Sequence, residues 1–232
     1  MGTDNASRTG HGQSPWPVWH FAARRVYGSV LQWVFRRLYH ELAWCYDFVA
    51  ALVSGGYWKH WIRAVVPFLQ DGPVLELGCG TGYLQLALAQ KGVQHVGCDA
   101  SKEMLGQANR RVRRAGYLPQ LVHGQAQGLP FPPAMFGDVV ATFPAPYIVD
   151  TATLAEVRRV LRPDGRLLIV DGGRLETGGT GEAAVNALFR STLQDRVQEH
   201  YGHLLSGSGF ALDAARVSVG RSSVLVLRAR LV

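Results

Sequence analysis

Cysteine is scarce in this 232-residue chain: Cys45, Cys79 and Cys98 are all there are. They lie far apart and form no CxxC pair, which excludes a disulfide framework and a zinc site and fits a reducing cytosol. Charged residues are few, at 18% against 47% hydrophobic ones, so a substantial core can form and wholesale disorder is excluded. The start does not resemble a secretory signal: Met1 to Pro17 is polar, rich in Gly, Ser and Pro, and reads as a flexible tail. A long uninterrupted apolar run is missing too. Val26 to Val53 is strongly apolar, but Arg36, Arg37, Glu41 and Asp47 break it, which argues against a membrane-spanning helix. No internal repeat is visible.

What the chain does have is positive charge and a regular order of elements. The formal charge is +7 and the sequence pI about 9.7, which favours an anionic partner without choosing among nucleic acid, lipid and small molecule. Residues 18–53 read as helix, with Val26, Val30, Val34, Leu38 and Leu42 on one face. Gly55-Gly56 breaks it, and Tyr57 to Leu69 reads as another helix. Then short apolar strands alternate with helices: strands at 74–77, 95–99, 120–123, 138–142 and 166–171, helices at 83–90, 101–115 and 151–161. Arg162-Pro-Asp-Gly165 reads as a turn, 172–181 as a glycine-rich loop, 182–195 as a helix, and a further helix ends near Ser206. Strands at 213–219 and 223–231 close the chain as a hairpin. Alternation of this kind predicts an α/β, Rossmann-like doubly wound sheet of seven mainly parallel strands, with a C-terminal antiparallel hairpin and an N-terminal helical extension.

The loop Glu76-Leu-Gly-Cys-Gly-Thr-Gly82 follows the first strand and opens a helix, the place where such sheets bind ligands. Asp99 closes the second strand, placed for the two hydroxyls of a ribose. These features suit a dinucleotide as well as S-adenosylmethionine (SAM). The glycine spacing separates them: Gly78, Gly80 and Gly82 make GxGxG, and Tyr83 occupies the position that GxGxxG reserves for glycine or alanine. Glu76 also suits a cationic amino-acid end better than a pyrophosphate.

The stretches VLELGCGTG (74–82), GCDAS with Met104-Leu and Ala108 (97–108), LPF (129–131), FGDVVAT (136–142) and EVRRVLRPDGRLLIVD (156–171) resemble, in order and spacing, the core of class I SAM-dependent methyltransferases. The resemblance implies a cofactor, SAM, and its seat. Glu76, Gly78, Cys79, Gly80 and Gly82 would hold the methionine end and Asp99 the ribose. Ala100 and Met104 would pack on the adenine, Gln125 and Ala126 meet its edge, and Thr142 with Phe143 line the methionine side. Gln125 departs from the Asp common there. Cys45-Tyr-Asp47 followed by Ser54-Gly-Gly-Tyr-Trp-Lys-His-Trp61 is similar to the segment before the core in ubiquinone/menaquinone C-methyltransferases and phospholipid N-methyltransferases, which makes Tyr46 a candidate lid residue over the cofactor.

The implied organisation is a tail (1–17), a helical lid or extension (18–70) and a SAM-binding methyltransferase domain (71–232). The implied reaction is methyl transfer to a small-molecule or lipid-like acceptor by in-line displacement. A catalytically silent SAM-binding scaffold and a nucleotide-dependent oxidoreductase are the rival readings. Candidate bases are His20, His40, His60, His200, His203 and Asp150, none with a partner at a diagnostic spacing, so no catalytic residue is assigned. No metal ligand set is present. The run Asn109-Arg-Arg-Val-Arg-Arg114 reads as a solvated helix face, and no nucleic-acid partner is expected. The protein is expected in the cytoplasm. Residues 18–53, rich in aromatics and arginine, read either as an amphipathic helix packed on the domain or as a peripheral membrane contact.

Overall fold

The computed structural model describes residues 50–51, 54–176 and 197–232. Of the helix expected over 18–53 only 50 and 51 fall among these residues, and both are helical; the rest of it, Tyr46 included, and the helix expected over 182–195 lie outside them.

Seven strands form one sheet in the order β3-β2-β1-β4-β5-β7-β6. β1 (Val74–Leu77), β2 (His95–Asp99), β3 (Leu121–His123), β4 (Phe136–Thr142) and β5 (Leu161–Leu175) run parallel; β7 (Ser222–Leu231) is antiparallel to β5 and to β6 (Phe210–Val219). All four residues of β1 are buried, as a central parallel strand covered on both faces requires. One face packs Leu75, Val139, Leu167 and Leu227 against α4 (Thr151–Val160) and α5 (Val197–Ser206). The other packs Val74, Val140, Leu168 and Val226 against α1 (Trp58–Arg63) and α2 (Tyr83–Gln90).

Helix limits follow local chemistry. α3 (Lys102–Arg114) begins at Ser101, whose hydroxyl accepts from the Met104 N–H at 3.2 Å, and ends before Gly116 at φ 84°. The helix expected over 57–69 is shorter: α1 stops at Arg63 and a 3-10 turn, Val66–Phe68, follows. Pro67, lacking an N–H, cannot continue an α-helix at that point.

Two expectations about β5 are corrected. Arg162-Pro-Asp-Gly165 does not separate helix from strand but bulges within β5, because Phe136 pairs with Leu161 while Asp138 already pairs with Arg166. Gly172 and Gly173 do not open a loop. β5 runs on to Leu175 through a one-residue bulge, with Gly172 at φ 62°. Gly173 is there because of Trp61: a Cβ at that position would sit 2.5 to 2.8 Å from three carbons of the indole ring. Trp61 is fully buried and its Nε1 donates to the Ser222 hydroxyl at 2.9 Å, so α1 is locked onto β5 and β7.

At the amino end of the sheet, the buried Asp138 accepts from Arg166 Nε at 3.0 Å and from the Gln70 N–H at 2.7 Å, and Arg166 also donates to the Phe68 carbonyl. Burial raises the Asp138 carboxyl above its ordinary range despite the arginine, the desolvation of a buried carboxylate outweighing its partner. This cluster ties the segment before β1 under the strands and leaves their carboxyl ends open.

Candidate active site

At those carboxyl ends lies a cleft of about 430 Å³, inside the range of roughly 300–1,000 Å³ usual for small-molecule sites. Its floor is the end of β1 and the loop that follows. Glu76 is 1% exposed and accepts from Gln85 Nε2 at 2.8 Å. Gly97 makes this contact possible, since a Cβ there would strike both Gln85 and Cys79. Burial pushes the Glu76 carboxyl up to about 8; the bond from Gln85 opposes the shift and the nearby Asp99 adds to it.

The glycine loop is wound so tightly that four of its N–H groups are used internally. Gly78 and Cys79 both donate to the Cys98 carbonyl, at 2.8 and 3.2 Å, and Gly82 donates to the Cys79 carbonyl at 2.9 Å. The Gly80 N–H goes to Asp99 Oδ2 at 2.8 Å. These four N–H groups are therefore not offered to a ligand. A pyrophosphate seat needs such donors. This floor offers an acid and close backbone approach, which suits a cation.

Asp99 ends β2 with Oδ2 on the Gly80 N–H and Oδ1 on the Ser101 N–H, both at 2.8 Å. A carboxylate oxygen takes two donors, so each keeps capacity for a hydroxyl. Burial raises the Asp99 carboxyl, against the lowering effect of those N–H groups. Cys79 and Cys98 also line the cleft. Burial pushes the Cys98 thiol up to about 11 and the Cys79 thiol well above its usual value, so neither is a thiolate nucleophile at neutral pH.

Of the residues expected to hold a cofactor, Glu76, Gly78, Cys79, Gly80, Asp99, Ala100, Gln125, Ala126, Thr142 and Phe143 line this one cleft. Gly82 does not. It sits at φ 83° with a hypothetical Cβ 2.8 Å from the Ala108 Cβ, so it serves the approach of α3 to the loop. Met104 does not line the cleft either: it is a fully buried core residue on the inner face of α3. Tyr46 lies outside the described residues. Asp150 is not a base facing the cleft but the N-cap of α4, accepting from the Ala152 N–H and from Gln127. His60 and His203 are exposed on α1 and α5 and line no part of the cleft, His20 and His40 lie outside the described residues, and the His200 side chain is likewise not described.

Sequence reasoning placed Phe143 on the methionine side but did not bring Trp58 to it. Phe143, at φ 46°, is one of two non-glycine residues with positive φ among the described residues, and strain of that kind collects at working sites. Its N–H is anchored on the Val170 carbonyl at 2.7 Å, and its ring stacks on Trp58 at 4.4 Å. Ile62, Pro144, Ala145 and Tyr147 continue this apolar side, and the Tyr147 hydroxyl lies 2.5 Å from where a Gly78 Cβ would stand. The signal existed in Trp58 and in Phe143-Pro-Ala-Pro-Tyr147, but only their meeting shows an aromatic wall.

Residues 74–165 match the methyltransferase domain family. Over 177 residues the chain is 33% identical to a demethylmenaquinone methyltransferase of Thermus thermophilus, an alignment that covers 74% of this chain and 78% of that one. The chain belongs to the class I SAM-dependent methyltransferases. It is also 32% identical over 209 residues to an uncharacterized methyltransferase of Synechocystis, covering 85% of this chain and 96% of the relative. A demethylmenaquinone methyltransferase of Symbiobacterium thermophilum is 32% identical but matched over only 59% of its length. Among solved structures, a SAM-dependent methyltransferase of Aquifex aeolicus superposes with a TM-score of 0.54 at 18% identity, over 74% of this chain and 89% of that one. A geranyl diphosphate methyltransferase in complex with SAM superposes at 0.57 with 15% identity, over 75% and 85%. These two establish the fold, whose strand order this methyltransferase shares.

SAM is the methyl donor, and the site fits it. Glu76 is a buried acid held by an amide and, among the described residues, paired with no cation, which suits it to an ammonium group. Among the described residues, no helix is long and apolar enough to cross a membrane, and no three His, Cys, Asp or Glu side chains cluster to hold a metal.

Proposed function

We propose that this methyltransferase acts on a ring carbon of an apolar, quinol-type small molecule. The observation that carries the reading is the stacked pair of Trp58 and Phe143 beside Thr142, a flat aromatic wall on the methionine side of the cleft. Aromatic faces favour a planar ring by stacking. The names of the relatives, demethylmenaquinone methyltransferases, point to the same class of acceptor.

Bound in the cleft, SAM supplies an electrophilic methyl group on a sulfonium. Glu76 and the Gly78–Gly82 loop take the methionine end, Asp99 the ribose hydroxyls, and Ala100, Gln125 and Ala126 the adenine. Trp58 and Phe143 hold the acceptor ring so that its carbon faces the methyl, and with Ile62 and Pro144 they keep water away. Transfer to the ring carbon would leave the sulfonium's bonding pair on sulfur, giving S-adenosylhomocysteine. The ring proton at the methylated carbon would then pass by way of solvent water to the ring oxygen, restoring aromaticity with no net proton lost. An acceptor that arrives as a phenolate needs no protein base, which agrees with a cleft lined by no histidine among the described residues.

The test is incubation with SAM and a reduced demethylated naphthoquinone, read by mass spectrometry. The reading predicts a product heavier by one methylene with the label on carbon, together with S-adenosylhomocysteine. Methylation on oxygen, or turnover with amines and none with the quinol, overturns it.

A hydrophobic tail on such an acceptor would need a docking surface, and we assign this to residues 18–53. Trp19, Phe21, Trp33, Phe35 and Trp44 with Arg24, Arg25, Arg36 and Arg37 are the composition of a lipid interface. The intact protein is expected to cosediment with anionic vesicles at low salt and to be released by high salt. Failure to bind at low salt removes the membrane part and leaves the ring chemistry intact.

A further inference from the structure

We infer that Arg111 is a positioning residue of the cofactor loop, acting through Thr81 and Tyr83. The inference rests on the loop being the seat of SAM. Arg111 stands in the basic run of α3 and was expected to be solvated like its neighbours. It is half-buried instead, and its Nη1 donates to the Thr81 carbonyl. The same guanidinium lies over the ring of Tyr83, 3.7 Å from its centre, a cation–π contact. Thr81 is buried, and both residues line the cleft.

The placement follows from helix geometry. Ala108 and Arg111 are three residues apart and so share a face of α3. Ala108 meets Gly82, where a Cβ would come within 2.9 Å of the Ala108 backbone. Three consecutive loop residues are thus each held, from two elements: Gly80 by the Asp99 carboxylate from β2, Thr81 by Arg111 and Gly82 by Ala108, both from α3. A loop held at each residue before the ligand arrives spends little binding free energy on being ordered. Tyr83, which replaces the small residue of a dinucleotide fingerprint, is kept beside the cleft by the same arginine.

The experiment measures S-adenosylhomocysteine affinity by calorimetry and the thermal midpoint of the cofactor-free protein, for wild type, Arg111→Ala, Arg111→Lys and Arg114→Ala. Arg114 is exposed on the same helix and carries the same charge without touching the loop. Arg111→Ala is expected to raise the dissociation constant about tenfold, the size of one charged hydrogen bond. Arg111→Lys, keeping a cation and a donor but not the planar stack, should fall between wild type and Ala, and Arg114→Ala should match wild type. A dissociation constant for Arg111→Ala within about twofold of wild type overturns the inference, as does equal weakening by Arg114→Ala. If Arg111→Ala does not fold, Arg111→Gln takes its place, and wild-type affinity there overturns the inference as well. Wild type that binds no S-adenosylhomocysteine would instead defeat the cofactor seat itself.

Discussion

In the cofactor-free protein, burial holds the Glu76 carboxyl up to about 8, against an ordinary 4.5. Between those values an unfolded chain ionises at this residue while the folded one keeps its proton. The contribution of Glu76 to stability is therefore complete below about pH 4.5, falls as pH rises, and is lost above about pH 8. Glu76→Gln, which cannot ionise, should melt higher than wild type at pH 9 and should not gain that advantage at pH 4. The same variant should bind SAM at least about tenfold more weakly, having lost the acid proposed to meet the ammonium. Thermal melts at the two pH values and a SAM titration check both halves; equal melting at pH 9 would show that Glu76 is not desolvated. A cationic ligand favours the ionised acid, so affinity in wild type should rise with pH and level off above about pH 8. At the other end of the site, Asp99→Ala is expected to remove the acid proposed to take two ribose hydroxyls and so to lower affinity roughly a hundredfold. An unchanged affinity with the fold intact would put the ribose elsewhere.

Elements were legible where their signal was local. Val74–Leu77, His95–Asp99 and the Ser101 cap could be read from short windows, because burial on both faces and a hydroxyl before a helix leave a direct trace. Gly172-Gly173 misled, because a glycine pair reads as a loop unless the indole of Trp61, more than a hundred residues earlier, is known to lie against it. Phe143-Pro-Ala-Pro-Tyr147 likewise shows nothing of the aromatic wall until Trp58 is brought to it. The resemblance pieces LPF and EVRRVL prove to be one contact: Arg159 donates to the Phe131 and Leu129 carbonyls at 2.7 and 2.9 Å, and Glu156 accepts from the Leu129 N–H at 2.7 Å. They hold the loop that leads into β4 and carry no chemistry themselves. Gly173→Ala tests the locking of α1 onto β5. It overfills a packed contact and should destabilise the protein by about 1–3 kcal/mol in denaturant unfolding. Wild-type stability would mean that the indole yields freely.

At the scale of the whole molecule, alternation of strands and helices announced a doubly wound sheet, and the closing hairpin announced its mixed edge. That β7 slots between β5 and β6 was not readable, since strand order depends on which edge a hairpin meets, not on its own sequence. The net charge of +7 chose no partner, and the described fold gives it none. The central claim is that β1, β2 and β4 together form a SAM seat and not a dinucleotide seat. Loop N–H groups turned inward and a buried acid at the end of β1 are its physical basis. Calorimetric titration of the purified chain with SAM and, separately, with NAD tests it most directly. The account predicts one-to-one binding of SAM and no heat from NAD; saturable binding of NAD with no response to SAM would contradict it.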